Sequence, residues 1–392
     1  MRILVYGGSF NPPHLGHAAA ARRAARILQP DRLLLIPAAD PPHKVLAAGS
    51  PDGAERLFLT RLAARAIPGA EACDLELRRA GPSYTADTMQ ALHERYPGAE
   101  LWFLVGTDML VTLDTWHDVQ RLVRLTGLVA AAREPDETAL LEREAERLRR
   151  QLGANILVLP GEATPAASGD VRALLPQRGG RALLDPAVYA RIIQKRHYGA
   201  RPELAWLREQ TAPMIEPRRR AHVDGCEQTA VRLAARWGAD ASDAAEAAIL
   251  HDATKKFGRR EQLLLCRKYA MMIDTVEAEN GNLLHAKTGA AWARARFGVT
   301  DAVYNAVLWH TTARPDMTLL EKIVFLADCM EPTRAYPGVD ALRAMAFESL
   351  DRAVILALQQ GLESLRRHGV QPHARSGEAL AWLLKETGNH IQ

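Results

Sequence analysis

The sequence predicts two domains of different class: an α/β doubly wound, Rossmann-like domain over residues 1–198 and an all-α domain over residues 199–392. The length of 392 residues exceeds what one ordinary hydrophobic core supports. Short apolar runs alternate with helical patterns in the first half, whereas the second half shows only helical spacing of apolar residues. Gly199 and Pro202 interrupt the chain between the two patterns.

Five short apolar runs in the first half predict buried strands. Segments with helical periodicity, such as HAAAARRAARIL, lie between them. Repeated strand–helix–strand units build a parallel sheet that is covered by helices on both faces. The predicted strands are RILVY, RLLLIP, LWFLVG, GLVAAA and NILVLP.

The second half has a different pattern. Segments such as CEQTAVRLAARW and LDRAVILALQQGLESLRRH carry apolar residues three and four positions apart. That spacing places the apolar side chains on one face of a helix. We therefore expect this half to be helical throughout.

Composition narrows the class of protein. The net charge of +4 suits anionic substrates but is too small and dispersed to indicate nucleic-acid binding. No apolar run is long enough for a membrane span, and the start has no secretory signal pattern. The four cysteines form no CxxC pair, which favours free thiols in a reducing compartment. We expect a cytoplasmic protein with small-molecule partners, and the sequence leaves a homo-oligomer open.

The stretch GGSFNPPHLGH, residues 7–17, follows the first predicted strand. Ligands of doubly wound sheets bind beyond the carboxyl ends of the strands. Gly7 and Gly8 lack a Cβ and let the backbone approach a phosphate closely. His14 and His17 share one face of a predicted helix start, where free N–H groups attract anions. The stretch therefore predicts a site for in-line displacement at phosphorus by positioning and electrostatics.

The complete string from Gly7 to His17 resembles the HxGH nucleotidylyltransferase superfamily. The later stretches PPHK, SYTADTMQAL and LVGTDML, followed by Trp116, resemble the bacterial nicotinate-nucleotide adenylyltransferases. The resemblance covers about residues 1–195. It implies adenylyl transfer from ATP, accompanied by Mg²⁺, to nicotinate mononucleotide, with release of pyrophosphate.

The resemblance also implies roles for individual residues. Gly8, Ser9 and Phe10 would line the nucleotide loop. This loop adjoins Gly7, where the backbone can approach a phosphate closely. The residues implied to act on the phosphates are His14, His17, Lys44 and Arg172, with His43 and Ser168 nearby. Those implied to bind nucleotide are Thr85 at the nicotinate carboxylate, Gly106 and Asp108 at the adenosine, and Trp116 on the pyridine ring. The late stretch AASGDVR departs from the family, because Ala167 and Gly169 replace hydroxyl residues.

The helical half contains His222, a His251–Asp252 pair and a distant Asp328. This order resembles the ligand set of the HD phosphohydrolase superfamily, and His285 and His310 complete a set for two metals with Asp252 as the bridge. Imidazole and carboxylate ligands favour iron, or manganese, over a structural zinc site. Stretches such as AAILHDATKKF resemble the YqeK family. That resemblance covers about residues 204–367 and implies symmetrical hydrolysis of diadenosine tetraphosphate to two ADP.

In the helical half the resemblance also places Lys255 at a phosphate, with Arg219 and Arg334 as similar candidates. Ala313 and Cys329 differ from the residues usual in that family. Two alternatives remain open for this half: a nucleotide-binding regulatory module, or a hydrolase of other nucleoside phosphates. For the first half, adenylylation of phosphopantetheine is the alternative, and SYTADT and Trp116 weigh against it.

Overall fold

A computed structural model describes residues 1–41, 45–162 and 166–388. The chain divides into two compact units, Met1–Arg201 and Pro202–Gln392. The first unit contains strands and helices, and each unit has its own buried core.

The first unit is built on a six-stranded parallel sheet in the order β3-β2-β1-β4-β5-β6. The predicted doubly wound class is therefore confirmed, and all five predicted strands are present. The sixth strand, at the sheet edge, was not predicted because three residues are too few to form an apolar run. The strands are β1 Arg2–Gly8, β2 Arg32–Pro37, β3 Ala70–Ala72, β4 Glu100–Gly106, β5 Gly127–Ala131 and β6 Ile156–Leu159.

Helices cover both faces of this sheet. Ile3 and Val5 point into one hydrophobic cluster, and Leu4 between them points into the other. Successive side chains of β1 are thus buried on opposite faces, which explains the continuous apolar run. The helices of this unit are α1 Leu15–Leu28, α2 Gly53–Ala64, α3 Thr85–Arg95, α4 Thr107–Val111, α5 Val119–Leu125, α6 Thr138–Leu152, α7 Ser168–Leu174 and α8 Pro186–Lys195.

The direction of strand order reverses between β1 and β4, which are hydrogen-bonded neighbours. Helices that follow strands on either side of this point diverge and leave a crevice at the carboxyl edge of the sheet. Gly8 ends β1 and Gly106 ends β4, so both face that crevice.

The second unit is helical, as predicted, and its described residues (202–388) include no strand. Among all described residues, no helix is both long enough and apolar enough to cross a membrane. The helices are α9 Leu204–Thr211, α10 Arg220–Trp237, α11 Ala241–Leu250, α12 Arg259–Lys268, α13 Thr275–Glu279, α14 Gly281–Phe297, α15 Asp301–Trp309, α16 Leu319–Met330, α17 Val339–Glu348, α18 Leu350–Arg367 and α19 Ala374–Gly388.

Candidate active sites

A cavity of about 490 Å³ occupies the crevice between β1 and β4. Both phosphate-loop glycines and both signature histidines line it, as do residues from the ends of β4 and β5. The predicted site residues in its lining are Gly7, Gly8, Ser9, His14, His17, Thr85, Gly106, Asp108, Trp116 and Ser168. The predicted residues His43 and Lys44 lie outside the described part of the chain.

His14 and His17 cap the N-terminus of α1 reciprocally. The backbone N–H of His17 donates to His14 Nδ1, and that of His14 donates to His17 Nδ1 at 3.2 Å. Because each Nδ1 accepts a hydrogen bond, the proton of each neutral ring is on Nε2. Burial, reinforced by the charge of Arg133, lowers the pKa of His14 to about 4. His14 is therefore a neutral ring whose remaining polar group is a donor.

Gly16 allows the two rings to lie close together. Their centroids are 3.7 Å apart. A Cβ on Gly16 would lie 3.0 Å from His14 Nδ1 and 3.1 Å from the carbonyl oxygen of Ala166. The glycine of the HxGH string thus leaves room for the first histidine.

Replacing Gly16 by alanine should lower adenylyl transfer at least about tenfold while the unit stays folded, because it displaces the His14 ring and alanine favours a helix. The measurement is the steady-state rate together with the thermal melting curve. Gly169→Ala is the matched control, since a Cβ there meets nothing within 4 Å although Gly169 lines the same cavity. Equal rates in the two variants would contradict this role for Gly16.

Two predicted residues do not line the cavity. Phe10 is 1% exposed and packs against the rings of Tyr6 and His17. The Arg172 guanidinium donates to the carbonyl oxygen of Asn11 at 2.6 Å. Both side chains contact the signature loop or its neighbours, and their predicted roles toward the nucleotide stay predictions.

The same loop is fixed by polar contacts that the sequence did not reveal. Ser168 Oγ donates to the carbonyl oxygen of Pro12 at 3.2 Å, and the Tyr198 hydroxyl donates to Asn11 Oδ1 at 2.7 Å. Arg56 is 1% exposed and donates to the carbonyl oxygens of Ser9 and Ala38 at 3.0 and 2.7 Å. An arginine within a helical pattern gives no sequence signal for such a role.

Arg133 is a cavity residue that the sequence analysis missed. Its Nη2 lies 3.1 Å from Asp108 Oδ1, and both residues line the cavity. Arg133 comes two residues after β5 ends, so it belongs to the carboxyl edge of the sheet. A cation directly after a predicted parallel strand was the signal that could have indicated it.

Four ring side chains line the cavity beside Thr85, and we call them the aromatic wall: Tyr84, Phe103, Trp116 and His117. Trp116 packs edge-on against Phe103, with ring centroids 6.4 Å apart. Tyr84 stacks on His117, with centroids 4.2 Å apart and planes at 26°. Both pairs belong to the cavity lining, so this part of it offers flat surfaces to a planar ring.

In the second unit, the six predicted metal ligands converge at one buried centre. They come from five helical segments: His222 from α10, His251 and Asp252 just after α11, His285 from α14, His310 just after α15, and Asp328 from α16. The four histidines and Asp252 are each at most 7% exposed. Nothing in the local sequence brings them together, since up to 106 positions separate them.

Asp252 lies between two groups of ligand atoms. Its Oδ2 is 3.5 Å from Nε2 of both His222 and His251, and its Oδ1 is 3.1 Å from His285 Nε2 and 3.9 Å from His310 Nε2. Asp328 Oδ1 joins the first group, 3.1 Å from His222 Nε2. A carboxylate whose two oxygens face different histidine pairs has the geometry of a bridging ligand.

Hydrogen bonds behind the rings orient the histidines. Nδ1 of His251 lies 2.7 Å from the carbonyl oxygen of Ala248, and Nδ1 of His310 lies 2.6 Å from that of Val307. A carbonyl oxygen only accepts, so Nδ1 donates and the Nε2 lone pair faces the centre. This is the usual arrangement of metal-binding histidines.

The electrostatics of the centre fit divalent cations. Burial acts to raise the pKa of Asp252, but the surrounding histidines outweigh it and hold that pKa far below its usual range. Asp252 therefore remains a carboxylate. Among the described residues its buried Oδ1 accepts no hydrogen bond of ordinary geometry, although His285 Nε2 lies 3.1 Å away. Imidazole nitrogens and carboxylates around such an atom suit transition metals.

Three cationic side chains border the centre. Arg219 Nε donates to Asp252 Oδ2 at 2.8 Å, Lys255 Nζ lies 3.3 Å from Asp252 Oδ1, and Arg334 Nη2 donates to Asp328 Oδ1 at 2.7 Å. Each is partly exposed, so each can reach a ligand in solvent as well as the carboxylates. They provide positive charge where a phosphate chain would approach.

Cys226 also adjoins this centre and was not predicted. Its Sγ lies 3.6 Å from His222 Nε2, and burial raises the pKa of the thiol well above its usual value. A thiol that keeps its proton is a weak metal ligand. Its position one helical turn after His222 was the available sequence signal.

Comparison with known proteins found a matching domain family for each unit. The model of cytidylyltransferase-like domains matches residues 5–173, and that of HD domains matches residues 219–333. A probable nicotinate-nucleotide adenylyltransferase of Synechococcus sp. (strain JA-3-3Ab) is 37% identical over 201 residues, which cover 50% of this chain and 94% of the relative. The chain belongs to the nicotinate-nucleotide adenylyltransferase family. In this member an HD domain accompanies the family domain.

A second family member, from Gemmatimonas aurantiaca, is 41% identical over 143 residues, which cover 36% of this chain and 67% of the relative. Among solved structures, a predicted HD superfamily hydrolase involved in NAD metabolism, from Clostridium acetobutylicum, is 31% identical. It aligns with 46% of this chain and 97% of its own, with a TM-score of 0.45.

Proposed function

We propose that the first unit transfers the adenylyl group of ATP to nicotinate mononucleotide. The observation that carries this is the cavity at the strand reversal, into which the HxGH histidines project. A phosphate oxygen of the mononucleotide attacks the α-phosphorus of ATP, and the bond to pyrophosphate breaks. Nicotinate adenine dinucleotide and pyrophosphate are the products. Membership of the adenylyltransferase family supports this choice of substrates.

The chain supplies positioning and charge for this displacement. His14 and His17 donate from Nε2 to phosphate oxygens whose charge grows in the transition state. The start of α1 adds the positive end of the helix dipole. Mg²⁺ accompanies ATP, and His43 and Lys44 keep their predicted roles near the phosphates.

The aromatic wall is assigned to the pyridine ring. Trp116 would stack on the ring while Thr85, at the start of α3, contacts its carboxylate. Stacking on these flat side chains would hold the pyridine ring of nicotinate mononucleotide in one orientation.

Trp116→Ala should raise KM for nicotinate mononucleotide roughly 5- to 150-fold, since a stacked base contributes about 1–3 kcal/mol. KM for ATP should stay within about twofold. Initial rates with each substrate varied in turn measure both constants. Trp102→Ala is the matched control, because the Trp102 indole donates to Glu100 and does not line the cavity. Equal increases in KM for both substrates would indicate that Trp116 packs in the hydrophobic core and does not bind the pyridine ring.

A direct assay of the full chain tests the proposed transfer. We expect ATP and nicotinate mononucleotide to yield the dinucleotide and pyrophosphate in equal amounts. Phosphopantetheine and nicotinamide mononucleotide serve as competing acceptors. Preferred adenylylation of phosphopantetheine would overturn the proposal.

For the second unit we propose metal-dependent, symmetrical hydrolysis of diadenosine tetraphosphate. The supporting observation is Asp252, whose two oxygens face separate histidine pairs. His222, His251 and Asp328 would hold one metal with Asp252, and His285 and His310 would hold the other. When bound, the divalent pair supplies Lewis acidity toward phosphate oxygens and water. Iron is the proposed metal, with manganese as the alternative.

The surrounding cations would place the substrate. Arg219, Lys255 and Arg334 bind phosphate oxygens and bring the central bridge of the tetraphosphate to the centre. Water adds to one central phosphorus and the central P–O–P bridge breaks. Each half leaves as ADP.

The products distinguish the alternatives for this unit. The full chain, stripped of metal and reloaded with Fe²⁺ or Mn²⁺, should convert diadenosine tetraphosphate to ADP alone. AMP with ATP as products would contradict symmetrical cleavage. Turnover of nucleoside di- or triphosphates only would indicate the other hydrolase, and nucleotide binding without turnover would indicate the regulatory module.

A further inference from the structure

A fully buried carboxylate, Glu331, lies behind His222. Glu331 Oε1 is 3.0 Å from His222 Nδ1, on the side of the ring opposite the metal centre, and Glu331 is 0% exposed. The carboxylate accepts from Nδ1–H, so Nε2, which faces Asp252 and Asp328, is the nitrogen left for a metal. Glu331 thus contacts a ligand and is not a ligand itself.

The position of Glu331 is fixed from several sides. The backbone N–H of Thr333 donates to Oε2 at 2.7 Å, and the Thr333 hydroxyl donates to Oε1. A Cβ on Gly225 would come within 2.5 Å of Oε2, so only glycine at position 225 leaves space for the carboxylate. Hydrogen bonds from backbone and hydroxyl stabilise its ionised form.

The other three histidines have different partners. Nδ1 of His251 and of His310 donate to neutral carbonyl oxygens, and within the described part of the chain Nδ1 of His285 has no hydrogen-bond partner. Of the four ligand histidines, His222 is therefore the one whose Nδ1 faces a carboxylate, that of Glu331. A carboxylate behind an imidazole makes the ring a stronger donor to a metal than a carbonyl does.

This difference divides the centre into two unequal halves. The His222 half consists of His222, His251, Asp328 and Asp252 Oδ2, and the His310 half consists of His285, His310 and Asp252 Oδ1. Asp328 and Glu331 add negative charge to the first half alone. Arg219 and Arg334 contact carboxylates of the first half and Lys255 contacts Asp252 Oδ1 in the second, so cations border both halves.

We propose that Glu331 is a positioning residue that gives the His222 half a higher metal affinity, so that the two halves fill in sequence. This inference rests on the proposed metal centre. It concerns the order and strength of metal binding.

Metal titration of the metal-free full chain tests the inference. With Mn²⁺ and isothermal calorimetry, we expect two binding events of different affinity. Glu331→Gln keeps the size of the side chain and removes its charge, so the tighter event should weaken about 10- to 100-fold. His310→Ala should remove the weaker event and leave the tighter one.

Glu321→Gln is the matched control for burial. Glu321 is 0% exposed, lies on the same helix as Asp328 and pairs with Arg314 rather than with a ligand histidine. It should leave both affinities within about twofold. Glu331→Asp is a second test, because a shorter side chain keeps the charge but withdraws it from Nδ1, and the tighter event should weaken again.

Two results would overturn the inference alone: two equal events in the unaltered chain, or equal weakening of both events by Glu331→Gln. Absence of Mn²⁺ binding by the unaltered chain would instead overturn the proposed metal centre, and the inference with it.

Discussion

Asp252→Ala should abolish hydrolysis by the second unit and leave adenylyl transfer unchanged. Asp252 offers one oxygen to each histidine pair, so its loss removes a ligand from both halves of the centre. Removing a residue behind a ligand already costs 10- to 100-fold in metal affinity or activity, so losing the bridge should cost more than about 10²-fold. Elemental analysis and both activities on one preparation provide the measurement.

The control for this variant is Asp340→Ala. The Asp340 side chain lies in the same unit, is 91% exposed and pairs with Arg343. It should leave metal content and both activities unchanged. Full metal occupancy with normal hydrolysis in Asp252→Ala would contradict the two-metal assignment. Loss of both activities would contradict independent sites.

His17→Ala should lower kcat for adenylyl transfer roughly 10²- to 10³-fold, which corresponds to about 2.7–4 kcal/mol of transition-state stabilisation. The cause is loss of the Nε2 donor at the start of α1. Pre-steady-state or steady-state release of pyrophosphate measures the rate. Hydrolysis by the second unit, assayed in parallel, should not change.

The alanine variant also removes a helix cap, because His17 Nδ1 accepts from the His14 N–H. His17→Asn separates the two effects, since the amide oxygen can cap the helix but the side chain is too short to replace Nε2. We expect the asparagine variant to regain stability and stay slow. His93→Ala, an exposed histidine on α3, is the neutral control. A normal kcat in His17→Asn would contradict the donor role of His17 and leave it only the role of a helix cap.

The sequence determined the classes of the two units and the chemistry of their sites. Apolar runs such as that of β1 are fixed by burial on both faces of a sheet, so they are visible without the structure. His14 and His17 act through a local offset of three residues, which is set by the helix itself. The histidines and aspartates of the second unit were recognisable by type and order.

Only the tertiary structure decided which of these residues meet and what supports them. Asp252 faces two histidine pairs because five helical segments pack around it, and packing between distant segments leaves no period in the sequence. The contacts of Phe10 and Arg172 with the signature loop likewise come from packing that the sequence does not show. Arg56 and Glu331 are charged residues whose burial depends on partners from other segments. A buried charge must find such partners, and their identity is a property of the fold.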